Sequence, residues 1–218
     1  MNYKELFKTL RNSADSGKSA TMKAYMKNQF EFLGISTPDR KLLSKDFLKA
    51  ARKDEKPNWK FIFDCWAQAE REFQYLALNY LDALKDTLTP DDIPNIKQLA
   101  LSKSWWDTID GLDRIAGHIA LKYPDVNQTL LEWSLDENFW LRRIAIDHQL
   151  SRKGKTNTGL LKQIIENNLG QKQFFINKAI GWSLREYSKT NPDWVRAFLE
   201  EYRGRLAPLS IREASKYV

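Results

Sequence analysis

Two tryptophans and two aspartates stand close together in the stretch SKSWWDTIDG, residues 102–111. If this stretch begins a helix, Trp106 and Asp110 are four residues apart and lie on the same side of it. A carboxylate can stabilise a developing positive charge, and an indole can cover that charge with its π face. The alternative interpretation is structural, with Trp106 packed on a neighbouring helix and Asp110 a solvated acid.

A second candidate lies in KQFFINKAIGWSLREYS, residues 172–188. Its apolar positions form one helical stripe, and Trp182 falls outside that stripe between Lys178 and Arg185. An aromatic side chain flanked by cations suits contact with a sugar or a phosphate, or else forms a cation–π cluster on the surface. In NFWLRRIAIDHQL, periodicity does not separate Arg142 from Arg143, because apolar residues surround both.

The elements that would position these residues are predicted to be helices. At about 100° per residue, the helix at 104–122 has one apolar stripe, to which Trp105 belongs and Trp106 does not. The small Gly117 falls on the side of Asp110 and leaves room there. The chain has only three valines, so it is poor material for a sheet.

Proline-aspartate pairs after Thr37, Thr89, Tyr123 and Asn191 mark helix starts. We predict thirteen helices, at 3–13, 19–31, 38–52, 58–68, 71–86, 90–101, 104–122, 125–135, 138–152, 157–168, 172–188, 192–202 and 210–216. From residue 58 the helix pairs recur about every 32 to 35 residues, which is typical of helical-repeat proteins. The expected fold is all-α, an α-solenoid of stacked antiparallel helix pairs with a concave basic face. It would be a single domain over residues 1–218, with N-terminal helices at 1–56 and helical repeats at 57–218.

Charge and composition narrow the class of partner. Thirty-five basic and 28 acidic residues give a net charge of +7, which favours a polyanion such as nucleic acid or, alternatively, only a solvated surface. The single cysteine, Cys65, excludes an internal disulfide and a cysteine-cluster zinc site. His118 and His148 are isolated, so no metal site is expected. Without a signal peptide or membrane span, a cytoplasmic protein is expected.

The same segments carry a family resemblance. The sequence resembles the bacterial AlkD family of DNA alkylation repair proteins, which are HEAT-like-repeat DNA glycosylases. The resemblance covers nearly the whole chain and includes AYMKNQFEFLGISTPDR, EREFQYLALNYL, KSWWDTID, NFWLRRIAI, FFINKAIGWSLREYSKTNPD and LAPLSIREASKYV. Departures such as Asp113 and Arg114 in GLDRIAGHI bear on substrate preference more than on the reaction.

The resemblance implies excision of positively charged N3- and N7-alkylated purines from duplex DNA, leaving an abasic site. The family pattern selects four catalytic positions, namely Trp106, Asp110, Trp182 and, in preference to Arg142, Arg143. Asp110 is expected to stabilise an oxocarbenium-like sugar and orient water, with Trp106 and Trp182 flanking the deoxyribose and Arg143 holding a phosphate. Expected DNA-binding residues are Tyr25, by family position, and Lys103, Lys178 and Arg185. No metal or organic cofactor is implied, and no protein partner is required, so a monomer is expected.

Two other functions fit the sequence. One is a non-catalytic helical-repeat protein that binds damaged or branched DNA, since a fold does not by itself establish catalysis. The other is a scaffold for protein partners whose positive charge is incidental. The scaffold predicts an apolar groove and no salt-sensitive affinity for DNA.

Overall fold

The computed structural model describes residues 2–218, and α-helices dominate this part of the chain. Thirteen α-helices are present: α1 Tyr3–Asn12, α2 Ser16–Tyr25, α3 Thr37–Ala51, α4 Trp59–Ala67, α5 Arg71–Ala83, α6 Ile93–Ala100, α7 Trp106–Lys122, α8 Val126–Trp133, α9 Phe139–Asp147, α10 Thr158–Glu166, α11 Phe174–Ser188, α12 Pro192–Glu201 and α13 Pro208–Ala214. Between residues 2 and 218 the only β-type pairing is an isolated bridge between Glu31 and Glu70. The predicted all-α class is therefore confirmed.

Local chemistry explains where the helices begin and end. Side-chain oxygens of Ser36, Asn58 and Asn191 cap the first turns of α3, α4 and α12. The prediction placed one helix at 19–31, but α2 begins after its cap Asp15 and ends at Tyr25. It ends there because Lys27 and Asn28 adopt positive φ angles of 56°.

The described residues form two compact units, one ending at Leu88 and the other running from Thr89 to Val218. The predicted subdivision after residue 56 does not coincide with this boundary. In the first unit α4 and α5 share an aromatic core with α1 and α3, because Phe61 contacts the rings of Phe7, Phe47 and Tyr80. A division after residue 56 would cut through that core. A single domain of HEAT-like repeats stays a prediction.

A buried glutamate fixes the loop between α2 and α3. The carboxylate of Glu72, on α5, accepts hydrogen bonds of 2.9–3.1 Å from the backbone N–H groups of Leu33, Gly34 and Ile35. Gly34 has a φ of +86°, and a Cβ there would lie 2.0 Å from the carbonyl oxygen of Asp15. Only glycine fits this turn.

The second unit has two layers of helices, and the candidate catalytic residues lie on one of them. In one layer α7, α9, α11 and α13 pack side by side in chain order. In the other, α8 contacts α9 and α10, while α12 contacts α11. The apolar stripe predicted for α7 is buried, including Ile109, Leu112 and Ile119. Within this unit, α7, α9, α11 and α13 therefore each meet the next helix of the same layer, which brings their side chains together.

Candidate active site

Trp106 and Asp110 lie on the first turns of α7. Trp106 is the first residue of the helix and is half-buried, and Asp110 follows one turn later with its side chain 20% exposed. Trp105 precedes the helix with an extended backbone, so its predicted place on the helical stripe is wrong. Its indole instead packs against the rings of Trp140 and Phe175, at centroid distances of 6.0 and 5.4 Å.

Arg143 reaches Asp110 from α9. Its Nε donates to Oδ1 of Asp110 at 2.8 Å, and its Nη2 lies 2.7 Å from the same oxygen. A third nitrogen, Nη1, donates to the carbonyl oxygen of Phe175 at 2.8 Å. The arginine is only 1% exposed. It therefore binds one carboxylate oxygen of Asp110 from the protein interior and does not bind Oδ2.

Trp182 comes from α11 and is surrounded by cations. The guanidinium carbon of Arg143 and the Nζ of Lys178 each lie 5.4 Å from its ring centroid, and Arg185 lies at 5.9 Å. Glu213, a buried residue on α13, binds both Lys178 and Arg185, at 2.9 and 2.7 Å. Lys216 also pairs with Glu213, at 2.9 Å, and the hydrogen bonds from Lys178 and Lys216 lower the pKa of Glu213 to about 2. Trp182 thus joins the Asp110–Arg143 pair to a second ion-pair cluster.

Two further carboxylates lie behind the Asp110–Arg143 pair. Asp113, on α7, and Asp147, on α9, are each 1% exposed. One oxygen from each of Asp110, Asp113 and Asp147 lies within 4.8 Å of the other two. An oxygen of Asp147 is 3.7 Å from Nη2 of Arg143. One cation therefore faces three acids in a nearly dry region.

Burial sets the proton affinities in this region. It raises the pKa of Asp110 above its usual value, although Arg143 opposes that shift. It also raises the pKa of Asp147 to about 8 and that of Asp113 well above its usual range. Burial acts to lower the pKa of Arg143, but Asp147 and Asp110 outweigh it and the net shift is upward. Arg143 is consequently charged, and the acids compete for it.

Close packing brings α7 and α9 together. A Cβ at Gly117 of α7 would lie 2.0 Å from the carbonyl oxygen of His148, which follows α9. Arg152 donates from Nη2 to the carbonyl oxygen of Gly117 at 2.7 Å. Glycine at this position therefore permits the approach that lets Arg143 reach Asp110.

The predicted DNA-binding residues lie at different places in the two units. Lys103 lies in the loop before α7 with a φ of 51°. Tyr25 ends α2 in the first compact unit and is 70% exposed. Lys178 and Arg185 are bound by Glu213, so a phosphate would compete with that carboxylate. The phosphate contact predicted for Arg143 stays a prediction, and here its three nitrogens contact Asp110 and Phe175 within the protein interior.

Sequence reasoning missed Asp147 and Glu213, and it treated Asp113 only as an additional charge. A signal for two of them exists in the spacing. Asp113 follows Asp110 by three residues and Asp147 follows Arg143 by four, so each lies on the same side of its helix as the earlier residue. Spacing does not connect Glu213 to the cations beside Trp182, because Lys178 and Arg185 are 35 and 28 residues away from it.

Comparison with known proteins supplies the family. Residues 6–218 match the family described as DNA alkylation repair enzyme. The chain belongs to this DNA alkylation repair family. A solved structure described as "Predicted DNA alkylation repair enzyme from Enterococcus faecalis" is 38% identical, with a TM-score of 0.87 over 94% of this chain and 96% of that one. No curated protein matches the sequence.

Membership of the DNA alkylation repair family confirms the resemblance and supports an enzymatic role in DNA repair, with DNA as the substrate. Among the described residues, no helix is both long enough and apolar enough to cross a membrane.

Proposed function

We propose that this family member is a monofunctional DNA glycosylase. It hydrolyses the N-glycosidic bond of positively charged N3- and N7-alkylated purines in duplex DNA and leaves an abasic site. The observation that carries this proposal is the carboxylate of Asp110, which is partly exposed and held through Oδ1 alone by a buried arginine. Its other oxygen can then face a sugar or a water molecule.

The chemistry required of the protein is modest. A purine alkylated at N3 or N7 already carries a positive charge, and it departs as a neutral base when it takes the electrons of the glycosidic bond. The sugar left behind resembles an oxocarbenium ion, which a nearby carboxylate stabilises. Asp110 orients a water molecule toward the anomeric carbon and accepts its proton as the new C–O bond forms. The reaction consumes only water and needs no cofactor.

The indoles of Trp106 and Trp182 form the surroundings in which the carboxylate of Asp110 acts. Trp106 and Trp182 flank the deoxyribose, exclude bulk water and turn their π faces toward the positive charge of the sugar. The cations around Trp182 would oppose that charge, and Glu213 offsets two of them through its ion pairs. Arg143 in this proposal orients Asp110, and its predicted contact with a phosphate stays a prediction.

The DNA backbone would be bound by charge. Lys103, Lys178 and Arg185 are proposed phosphate contacts, and Tyr25 a further DNA contact, with the protein acting as a monomer on one duplex. Lys178 and Arg185 would exchange Glu213 for phosphate oxygens, or share them, since their side chains are 25% and 28% exposed. Charge-assisted hydrogen bonds to phosphate are strong enough to compete with an ion pair of this kind.

One observation favours the alternative of a non-catalytic DNA-binding protein. Arg143 already neutralises Asp110, and the pair could serve only to join α7 to α9. An assay distinguishes the two functions: the protein is incubated with duplex DNA that contains N7-methylguanine, and the released base is measured. The glycosylase releases free base and leaves abasic sites. Binding without release above the spontaneous rate would establish the alternative.

A further inference from the structure

We propose that Asp113 and Asp147 are positioning residues of this site, a buried pair that keeps a proton and thereby leaves the charge of Arg143 to Asp110. The effect of this pair on catalysis rests on the proposed glycosylase function, whereas the protonated pair itself does not. Neither residue would touch the substrate, because both are 1% exposed and lie behind Asp110.

Geometry supports the retained proton. Both oxygens of Asp147 and Oδ1 of Asp113 are buried without a hydrogen-bond partner in the described structure. Arg143 makes its short contacts with Asp110 and Phe175, whereas its Nη2 lies 3.7 Å from Oδ2 of Asp147. If all three acids were ionised, three negative charges would face only two arginines, Arg143 and Arg114, in a largely buried region. Carboxylates that share such a site cannot all ionise, so at least one proton stays.

Loss of that proton would redirect the arginine. Ionised Asp147 would attract Arg143, which sits one helical turn before it on α9, and would draw the guanidinium away from Oδ1 of Asp110. The released proton passes to water, and no other bond changes. Asp110 would then lose the contact that orients it. The pair therefore sets the alkaline limit of the active arrangement.

Other charged groups surround the pair on the helices that carry it and on those packed against them. From α7 the pair faces Asp110 and Arg114, and from α9 it faces Arg143. At the end of α9, burial lowers the pKa of His148 to about 3, so that ring stays neutral, and burial lowers the pKa of Arg152 to about 10. The remaining helices against α9 carry ion pairs: Lys178 and Arg185 with Glu213, Lys97 with Asp136, and Lys162 with Glu201. Asp147 of the pair is the group expected to titrate near pH 8.

The pair also makes folding depend on pH. The pKa of Asp147 rises from 3.8 to about 8 on folding, so the folded state binds more protons than the unfolded state between those values. Its contribution to stability is fully present below pH 3.8 and is lost progressively as the pH rises to about 8. Asp147→Asn removes this proton uptake, and its melting temperature should therefore fall less over that interval than that of the wild type.

The decisive test measures the proton directly, without reference to catalysis. Infrared spectra of the full-length protein should show the carbonyl band of a protonated carboxylic acid that weakens with a midpoint near pH 8 as Asp147 ionises. The band should weaken in Asp147→Asn and vanish in the double variant Asp113→Asn/Asp147→Asn. Its absence from the wild type, or its persistence in the double variant, would overturn the proposal. The wild-type titration requires no variant to fold.

The second readout is the pH profile of 7-methylguanine release. Wild-type protein should lose activity about tenfold per pH unit above the midpoint, as for one essential proton. Asp147→Asn should keep its rate to about pH 9, while Asp125→Asn, an exposed control on the same unit, should follow the wild type. If Asp147→Asn lost activity at alkaline pH in the same way as the wild type, the positioning role would be contradicted. If no base is released at all, the proposed function fails and the infrared result still decides the state of the pair.

Discussion

At the residue scale, Arg143 connects most of the groups on which the proposed chemistry depends. It binds Asp110, contacts the ring of Trp182, bonds the carbonyl oxygen of Phe175 and lies 3.7 Å from Asp147. A buried cation of this kind is stabilised only as long as its partners remain in place. Replacement of Arg143 is therefore expected to affect folding as well as activity.

Arg143→Gln should lower the free energy of unfolding by about 3 kcal/mol near neutral pH, because it leaves buried acids without their counter-charge. The loss should be smaller at a mildly acidic pH, because burial raises the pKa of Asp110 and so favours its uptake of a proton there. Urea denaturation at the two pH values measures both effects.

The neighbouring arginine provides the matched control. Arg142 is half-buried and belongs to the same helix, so Arg142→Gln should cost less than about 1 kcal/mol at either pH. Equal losses for the two variants would show that Arg143 contributes no more than a typical partly buried side chain.

At the element scale, the site depends on how closely α7 approaches the end of α9. Gly117→Ala should destabilise the protein by about 1–3 kcal/mol, because the new methyl group would overlap the backbone of His148 and force the helices apart. It should also slow base release, since Arg143 would move relative to Asp110. Urea denaturation and the release assay measure the two consequences.

Gly159→Ala is the control for this substitution. Gly159 lies on α10, and a Cβ there meets only the side chain of Asn157 at 3.5 Å. Alanine at an open helical position should stabilise by about 0.5–1 kcal/mol. If both alanine variants behaved alike, the close approach at Gly117 would not matter to stability.

The elements were largely predictable, whereas their mutual arrangement was not. Periodicity and capping residues located all thirteen helices, and the i, i+4 spacing placed Trp106 and Asp110 on one side of α7. Trp105 was assigned to the helix because a helical period cannot show that the backbone is still extended at that residue. The buried contacts among Asp110, Asp113, Arg143 and Asp147 depend on two helices meeting, and a pattern along one helix does not contain that information.

At the scale of the whole molecule, the net charge of +7 predicts electrostatic binding to DNA. The logarithm of the association constant for undamaged duplex should fall linearly with the logarithm of salt concentration, by about 0.9 for each phosphate contacted. Lys178→Gln should make that slope shallower by about 0.9, which is the contribution of one phosphate contact. Fluorescence anisotropy over a series of salt concentrations measures it.

A control substitution separates local contact from total charge. Arg203→Gln removes one exposed cation on the second unit, at a residue that pairs with Glu200. It should leave the slope nearly unchanged. Equal changes in the two variants would indicate that overall charge, rather than a contact at Lys178, determines affinity.

In the proposed mechanism, Asp110 performs the chemistry of base excision. The most direct measurement is the single-turnover rate of 7-methylguanine release from duplex DNA by the wild type, Asp110→Asn and the exposed-acid control Asp125→Asn. We expect Asp110→Asn to lose at least about 100-fold, since it removes the charge that stabilises the sugar, while it still binds the duplex. Asp125→Asn should match the wild type. Equal release by wild type and Asp110→Asn would contradict the mechanism, and no release by the wild type would contradict the glycosylase function itself.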